Sequence, residues 1–285
     1  MREIRGLAGP LLLLLLSGCG APPDPANTVT VAGSETMAIL ARNWAGIHMK
    51  ANPAIKVRVS GGGTDAGIAA LTAGETGIAL VSRPLTREEK AEIRTKRGAE
   101  AVEKAVALDG IAVWVNEKNG LKQLTLDQLR LVFTGKMTDW KKAGETPGPI
   151  MVFGLLAGSG TRAWFRKRVL RRADFPPQVR DLPSSGAVAD AVASDERAIG
   201  YGAVGYAPGT RALKLAAGPG RDAVEPSAAE IAGRRYPLTR ELYLCTAGKP
   251  RPAEADFIAF ALSDLGQEAC RATGYIPIRP GKPAE

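Results

Sequence analysis

From Thr28 onward the chain alternates short apolar stretches with amphipathic ones. TVTVAG, KVRVSG, GIALVSR, AVALDGIAVWVN, PIMVFG, AIGYGAVGYA and ELYLCT are rich in β-branched or apolar residues and read as strands. Between them lie helical patterns. In TMAILARNWAGIHMK the residues Met37, Leu40, Ala41, Trp44 and Ile47 recur at helical spacing and are expected to face a core. GIAALTAG, TREEKAEIRTKRG, LTLDQLRLVF, TRAWFRKRVL and SSGAVADAVAS give further helices, and FIAFALSDLGQEACRATGY reads as one C-terminal helix. The strand AVALDGIAVWVN carries a break at Gly110, beside Asp109, which reads as a hinge hydrogen-bonder or a ligand contact. Strands alternating with helices predict an α/β protein with mostly parallel pairing.

Three turns repeat one chemistry: Gly33-Ser34-Glu35-Thr36, Gly61-Gly62-Gly63-Thr64-Asp65 and Gly158-Ser159-Gly160-Thr161. Each follows a predicted strand and opens a predicted helix. Ligands of open α/β sheets bind beyond the carboxyl ends of strands. There the first helical turns leave N–H groups unpaired, and the helix dipole favours negative charge. Glycine permits close backbone approach, and Ser and Thr hydroxyls donate without carrying charge. Taken singly, Ser34, Thr64 and Ser159 also fit ordinary helix caps. Together they fit a small tetrahedral oxyanion held largely by dipoles. Ser82-Arg83 ends another strand, where a guanidinium can fork onto two oxygens. Gly61-x-Gly63-x-x-Ala66 matches a loose dinucleotide fingerprint, but its helix is short and no acidic residue is well placed after it. Gly135-Lys136 lacks the Ser or Thr that a phosphate-binding P-loop needs.

The 285 residues accommodate one or two globular units, and 45% apolar content supplies a sizeable core. The formal charge of +9 suits an anionic partner without choosing one. The N-terminus narrows the choice. Arg2 and Arg5 precede leucines 11–16 and then Ser17-Gly18-Cys19, the layout of a secretory signal over residues 1–18. Leu16-Ser17-Gly18-Cys19 resembles a bacterial lipobox, which implies lipid on Cys19, and residues 19–27 then form a Pro-rich flexible tether. Cys245 and Cys270 fall in a predicted strand and a predicted helix; an oxidising compartment permits their pairing, and buried thiols are the alternative. The lone histidine, His48, sits on a helix, and no His/Asp/Glu cluster has metal spacing. No catalytic residue, metal or cofactor is expected.

The ordered motifs AGSETM, GGGTDAGIAAL, IALVSRPLT, ALDGIAVWVNEKN, LVFTGKMTDW, GSGTR, AIGYGAVGYA, YPLTRELYL and FALSDLGQEACRATGYIPI cover Val29 to Pro277. In that order the chain resembles the substrate-binding lipoproteins of bacterial phosphate ABC transporters. The resemblance implies a type II periplasmic-binding-protein-like fold: two α/β lobes with mixed, mostly parallel sheets, joined by two crossing strands. It implies lobe one at residues 27–108 and 241–285, and lobe two at 109–240. It implies inorganic phosphate in the cleft, held by Ser34 and Thr36, by Thr64 or Asp65, by Ser82 and Arg83, and by Ser159, Gly160 and Thr161. An ABC permease is the implied partner, with the membrane reached through Cys19. The protein is expected to be a monomer in the cell envelope that meets no nucleic acid.

One position departs from the pattern. Many such proteins carry Arg three residues before the Gly-Ser-Gly-Thr turn, where this chain has Leu155. The cation must then come from elsewhere, with Arg83 the first candidate and Arg162 the second. Asp65 is the expected acceptor for the proton that phosphate retains near neutral pH and sulfate lacks. Two other readings stay open: a binder of another oxyanion, and a sensor or interaction lipoprotein that keeps the fold without the site. A phosphatase would have to be built around His48.

Overall fold

The computed structural model describes residues 25–144, 147–204 and 209–278. The signal segment and Cys19 lie outside the described residues. Pro25–Asn27, the end of the expected tether, already forms a short 3-10 turn.

The first half of the chain runs β1 (Thr28–Gly33), α1 (Glu35–Ala51), β2 (Lys56–Gly62), α2 (Thr64–Ala73), β3 (Ile78–Val81), α3 (Arg87–Arg97) and the long β4 (Ala101–Asn116). There follow β5 (Gln123–Thr125), α4 (Leu126–Phe133), β6 (Met151–Leu155), α5 (Gly160–Arg168), β7 (Arg180–Leu182), α6 (Ser185–Ala193) and β8 (Ala198–Ala203). The chain continues through β9 (Thr210–Ala212), β10 (Lys214–Ala216), β11 (Ala223–Val224), α7 (Ala228–Ala232) and β12 (Thr239–Ala247). It ends with α8 (Pro252–Leu262), α9 (Asp264–Ala272) and β13 (Ile276–Pro277).

The main sheet has the order β2-β1-β3-β12-β4-β8-β6-β7, with β13 and β9 also on β4. The flanks are parallel: β2 and β3 pair with β1, and β7 and β8 pair with β6. The middle is antiparallel, because β12 pairs with both β3 and β4, and β4 with β8. The predicted break at Gly110 is absent; β4 passes through it unbroken. Residues 101–110 of β4 pair with β12, and residues 111–115 pair with β8. One strand thus serves two half-sheets. A small sheet, β11-β10-β5, lies apart.

Each half-sheet has its own core. Trp114, Phe133, Phe165 and Tyr201 centre one, with Phe165 and Tyr201 stacked at 3.9 Å between ring centroids. Met37, Leu40, Trp44 and Phe257 centre the other, as the helical spacing of α1 requires. Ile68, Leu71, Ile93 and Cys245 form a smaller cluster beneath α2 and α3. His48 is buried in α1, edge-on to Phe257 and Phe260, with Nε2 2.9 Å from Asp256 Oδ2. Cys245 and Cys270 are both free and buried, so the pairing left open by the sequence is not made.

The expected single C-terminal helix is two. Ser263 is extended, ending α8 and capping α9 by accepting from Gly266 N at 3.1 Å. At Gly266 the second helix presses on the first: a Cβ there would overlap the carbonyl of Phe260. Gly46, inside α1, has open space on the same test. Gly266→Ala is therefore expected to destabilise the fold by about 1–3 kcal/mol through overpacking. Gly46→Ala is expected to stabilise it by about 0.5–1 kcal/mol, because only chain entropy changes. Urea melts of both variants check the opposite signs.

Candidate functional site

Four helix starts line one cleft of about 380 Å³. Ser34 precedes α1, Gly63 precedes α2, Ser159 precedes α5 and Ser184 precedes α6. Their caps differ. Ser159 Oγ accepts from Arg162 N at 3.3 Å and Ser184 Oγ from Ala187 N at 3.1 Å. Ser34 makes no side-chain cap bond, and Gly63 has no side chain to make one. On α3 and α4, which face elsewhere, Thr86 and Thr125 close capping boxes. No side-chain cap therefore closes off the first amides of α1 and α2 from the cleft, although Asp65 N in α2 is taken by Gly158 O. The fourth start, Ser184-Ser185-Gly186, reads in sequence as plain helix; nothing local marks it as a cleft wall.

Behind the cleft the hydroxyls converge. Thr36 Oγ1 lies 3.1 Å from Thr161 Oγ1, and Thr64 Oγ1 lies 3.2 Å from Ser82 Oγ. Thr64 and Ser82 are fully buried, and Thr161 nearly so. Gly160 fits between them only because it lacks a side chain; a Cβ would run into Thr64 Oγ1 and Ser82 Oγ. Across the cleft Asp65 N reaches Gly158 O at 3.4 Å, so the turn before α2 and the turn before α5 touch. The structure therefore brings together Ser34, Thr36, Thr64, Ser82, Ser159, Gly160 and Thr161, from elements far apart in the chain.

The direction of these hydroxyls is set from behind. Arg240 Nη2 donates to Thr161 Oγ1 at 2.9 Å, and Ser82 N donates to Thr64 Oγ1 at 3.3 Å. A hydroxyl that accepts from behind has its own proton left to give forward. Both threonines thereby keep a proton to donate, which suits an anion.

Arg240 is the functional residue that sequence reasoning missed. It is the second residue of β12, is 3% exposed, and donates through Nε and Nη2 to Asp109 Oδ2 at 2.9 and 2.7 Å. Nη1 donates to Ser82 O at 3.0 Å. Asp109 is itself fully buried. Burial pushes the Asp109 carboxyl above its ordinary value, and the Arg240 charge works against that shift. Half of a signal did exist: Asp109, a lone carboxylate inside the apolar strand AVALDGIAVWVN, calls for a buried partner, but Arg240, beside Glu241, is not singled out by its neighbours.

Arg83 and Asp65 are placed otherwise than expected. The Arg83 guanidinium donates to Glu89 at 2.8 and 2.7 Å, to Asp65 Oδ1 at 2.8 Å and to Pro84 O at 3.2 Å. Burial works to lower its pKa, but Glu89 and Asp65 outweigh that and hold it above the usual guanidinium value. Two carboxylates thus share the Arg83 charge, and Arg83 and Asp65, like Ser82 and Thr161, stand outside the cleft lining itself. Arg162 also turns away: it pairs with Asp181, donates to Leu155 O at 2.5 Å and lies 4.2 Å from the Phe175 ring centroid. Leu155 is buried in the core and forms part of the cleft wall. The carboxylate that does line the cleft is Glu35, whose Oε1 accepts from Gly62 N at 2.5 Å.

Removing Asp109 alone leaves Arg240 buried without a counter-charge. Asp109→Ala is expected to cost about 3–5 kcal/mol, and replacing both partners by apolar residues of similar size to cost much less. Denaturant midpoints of Asp109→Ala and of Asp109→Leu with Arg240→Met test this; equal losses would show that the pair is not energetically coupled.

Comparison with known proteins agrees with this architecture. Residues 20–264 match the family described as the PBP superfamily domain. The chain is 30% identical over 276 residues to the phosphate-binding protein PstS of Pseudomonas aeruginosa, covering 91% of this chain and 85% of that one. It is 30% identical over 253 residues to PstS of Bacillus subtilis, covering 88% and 81%. Among solved structures it is similar to a putative phosphate ABC transporter substrate-binding protein with bound phosphate from Clostridium perfringens. That match has TM-score 0.79 and 28% identity, and covers 89% of this chain and all of that one. A phosphate transport receptor from Vibrio cholerae gives TM-score 0.73 and 28% identity over 88% of this chain. With two half-sheets sharing β4 around a donor-lined cleft, this chain belongs to the PBP superfamily, among the phosphate-binding proteins of ABC transporters.

Proposed function

We propose that this protein binds inorganic phosphate in the cleft between two lobes, 27–108 with 241–285 and 109–240, and delivers it to an ABC permease. It works outside the cytoplasm, as a monomer anchored through lipid on Cys19, and does no chemistry on its ligand. The observation that carries the reading is that Thr161 and Thr64 each accept a hydrogen bond from behind, from Arg240 and Ser82 N, and keep a proton to give. An anion entering the cleft exchanges hydroxyl–hydroxyl bonds for charge-assisted ones, which are roughly twice as strong.

The positive charge is supplied indirectly. Arg240 stands behind Thr161 and Ser82, part-neutralised by Asp109, so the ligand meets oriented dipoles backed by a screened cation. Leu155 leaves no guanidinium at the usual place. Glu35 takes over the role first given to Asp65. A carboxylate in the wall repels an unprotonated oxyanion and accepts a hydrogen bond from a protonated one.

Calorimetry with phosphate, sulfate, arsenate and molybdate tests the reading directly. Phosphate and arsenate are expected to bind, and sulfate is not. No heat with any of them, and no anion-dependent rise in melting temperature, would favour a protein that kept the fold without the ligand. Ser159→Ala and Thr161→Ala should each weaken phosphate binding by about 0.5–1.5 kcal/mol, or roughly two- to tenfold. Arg83→Ala should change it little. Glu35→Gln should narrow the gap between phosphate and sulfate.

A further inference from the structure

The cleft is larger than the ion assigned to it. A phosphate has five heavy atoms and fills on the order of 100 Å³, scaling from about 30 Å³ for a water. The cleft holds about 380 Å³. Its excess lies along α1, where Glu35, Ile39 and Arg42 stand at i, i+4 and i+7, all three exposed and all three lining the cleft. From Glu35 to Arg42 is about 10 Å along the axis, at 1.5 Å per residue. Opposite this stripe stand the exposed Leu156 and the α6 start at Ser184, Ser185 and Gly186.

The stripe has a chemical order. The oxyanion donors lie at one end, beside Ser34 and Thr36. Ile39, 44% exposed, and Leu156, 49% exposed, give an apolar middle. Arg42 ends it, a cation with no ion-pair or hydrogen-bond partner among the described residues, unlike Arg83 and Arg162, which carboxylates already occupy. A lone tetrahedral ion leaves the middle and the far end unused.

We propose that the same cleft also takes small phosphorylated or phosphonylated carboxylates. The phosphoryl group sits in the hydroxyl cage, a short carbon spacer lies against Ile39 and Leu156, and the carboxylate pairs with Arg42. This rests on the phosphate-binding reading of the cage and extends it to a second class of ligand.

Titration calorimetry of the full chain with inorganic phosphate, methylphosphonate and phosphonoacetate separates the two. Phosphonoacetate is expected to bind about fivefold tighter than methylphosphonate, as one partly screened ion pair allows. Arg42→Ala should abolish that advantage while leaving the phosphate Kd within about twofold, and Arg42→Lys should restore part of the advantage. Phosphate binding with no phosphonate binding at all, or equal affinity for the two phosphonates, overturns the extended ligand and leaves the phosphate reading intact. Loss of phosphate affinity in Arg42→Ala to the same degree also overturns it, because Arg42 then serves the cage. Failure of phosphate itself in the unaltered protein removes both.

Discussion

Everything at the cleft depends on one buried ion pair. Asp109 and Arg240 sit on neighbouring strands, β4 and β12, at the point where the two half-sheets meet. Both are removed from water, which is costly unless each satisfies the other. Having met that condition, Arg240 has donors to spare, and it spends them on Ser82 O and Thr161 Oγ1. Those two groups come from opposite halves of the molecule. A single guanidinium therefore joins the strand crossing to a residue from each wall of the site.

The consequence is chemical as well as structural. Hydroxyls are ambivalent, able to give or take a hydrogen bond. Where Arg240 and the Ser82 amide donate to Thr161 and Thr64, one lone pair of each hydroxyl is taken and its proton is left to give. Uncapped amides at α1 and α2 add donors of the same sense. In the hydroxyl cage the donors are thus backed by the buried Arg240, while the apolar Leu155 stands where many relatives of this pattern carry a guanidinium. Glu35 supplies the opposing element, one acceptor in a wall of donors. The ligand shifts any open–closed balance only by the difference in these contacts.

The Gly-Ser/Thr turns were legible because a strand followed by glycine and a hydroxyl residue has a local physical meaning at a helix start. The helical spacing in α1 placed Met37, Leu40 and Trp44 in a core for the same local reason. The charged residues were not legible in that way. Arg83 lies at the right end of the right strand, yet Asp65 and Glu89 capture it. Arg162 lies in the right turn, yet Asp181 and Phe175 hold it elsewhere. Arg240 is far from every turn in sequence and touches two of the predicted site residues in space.

The sequence by itself determined the alternation of strands and helices, the chemistry of the turns and the neutrality of position 155, since each is written in neighbouring residues. Only the tertiary structure decided which cation backs the site, which carboxylate lines it and that α6 forms a fourth wall. Backbone dipoles are fixed by local conformation. The partner of a long charged side chain is settled by whichever opposite charge the fold brings within reach, and in this chain the fold brought Asp109, across two strands, to Arg240.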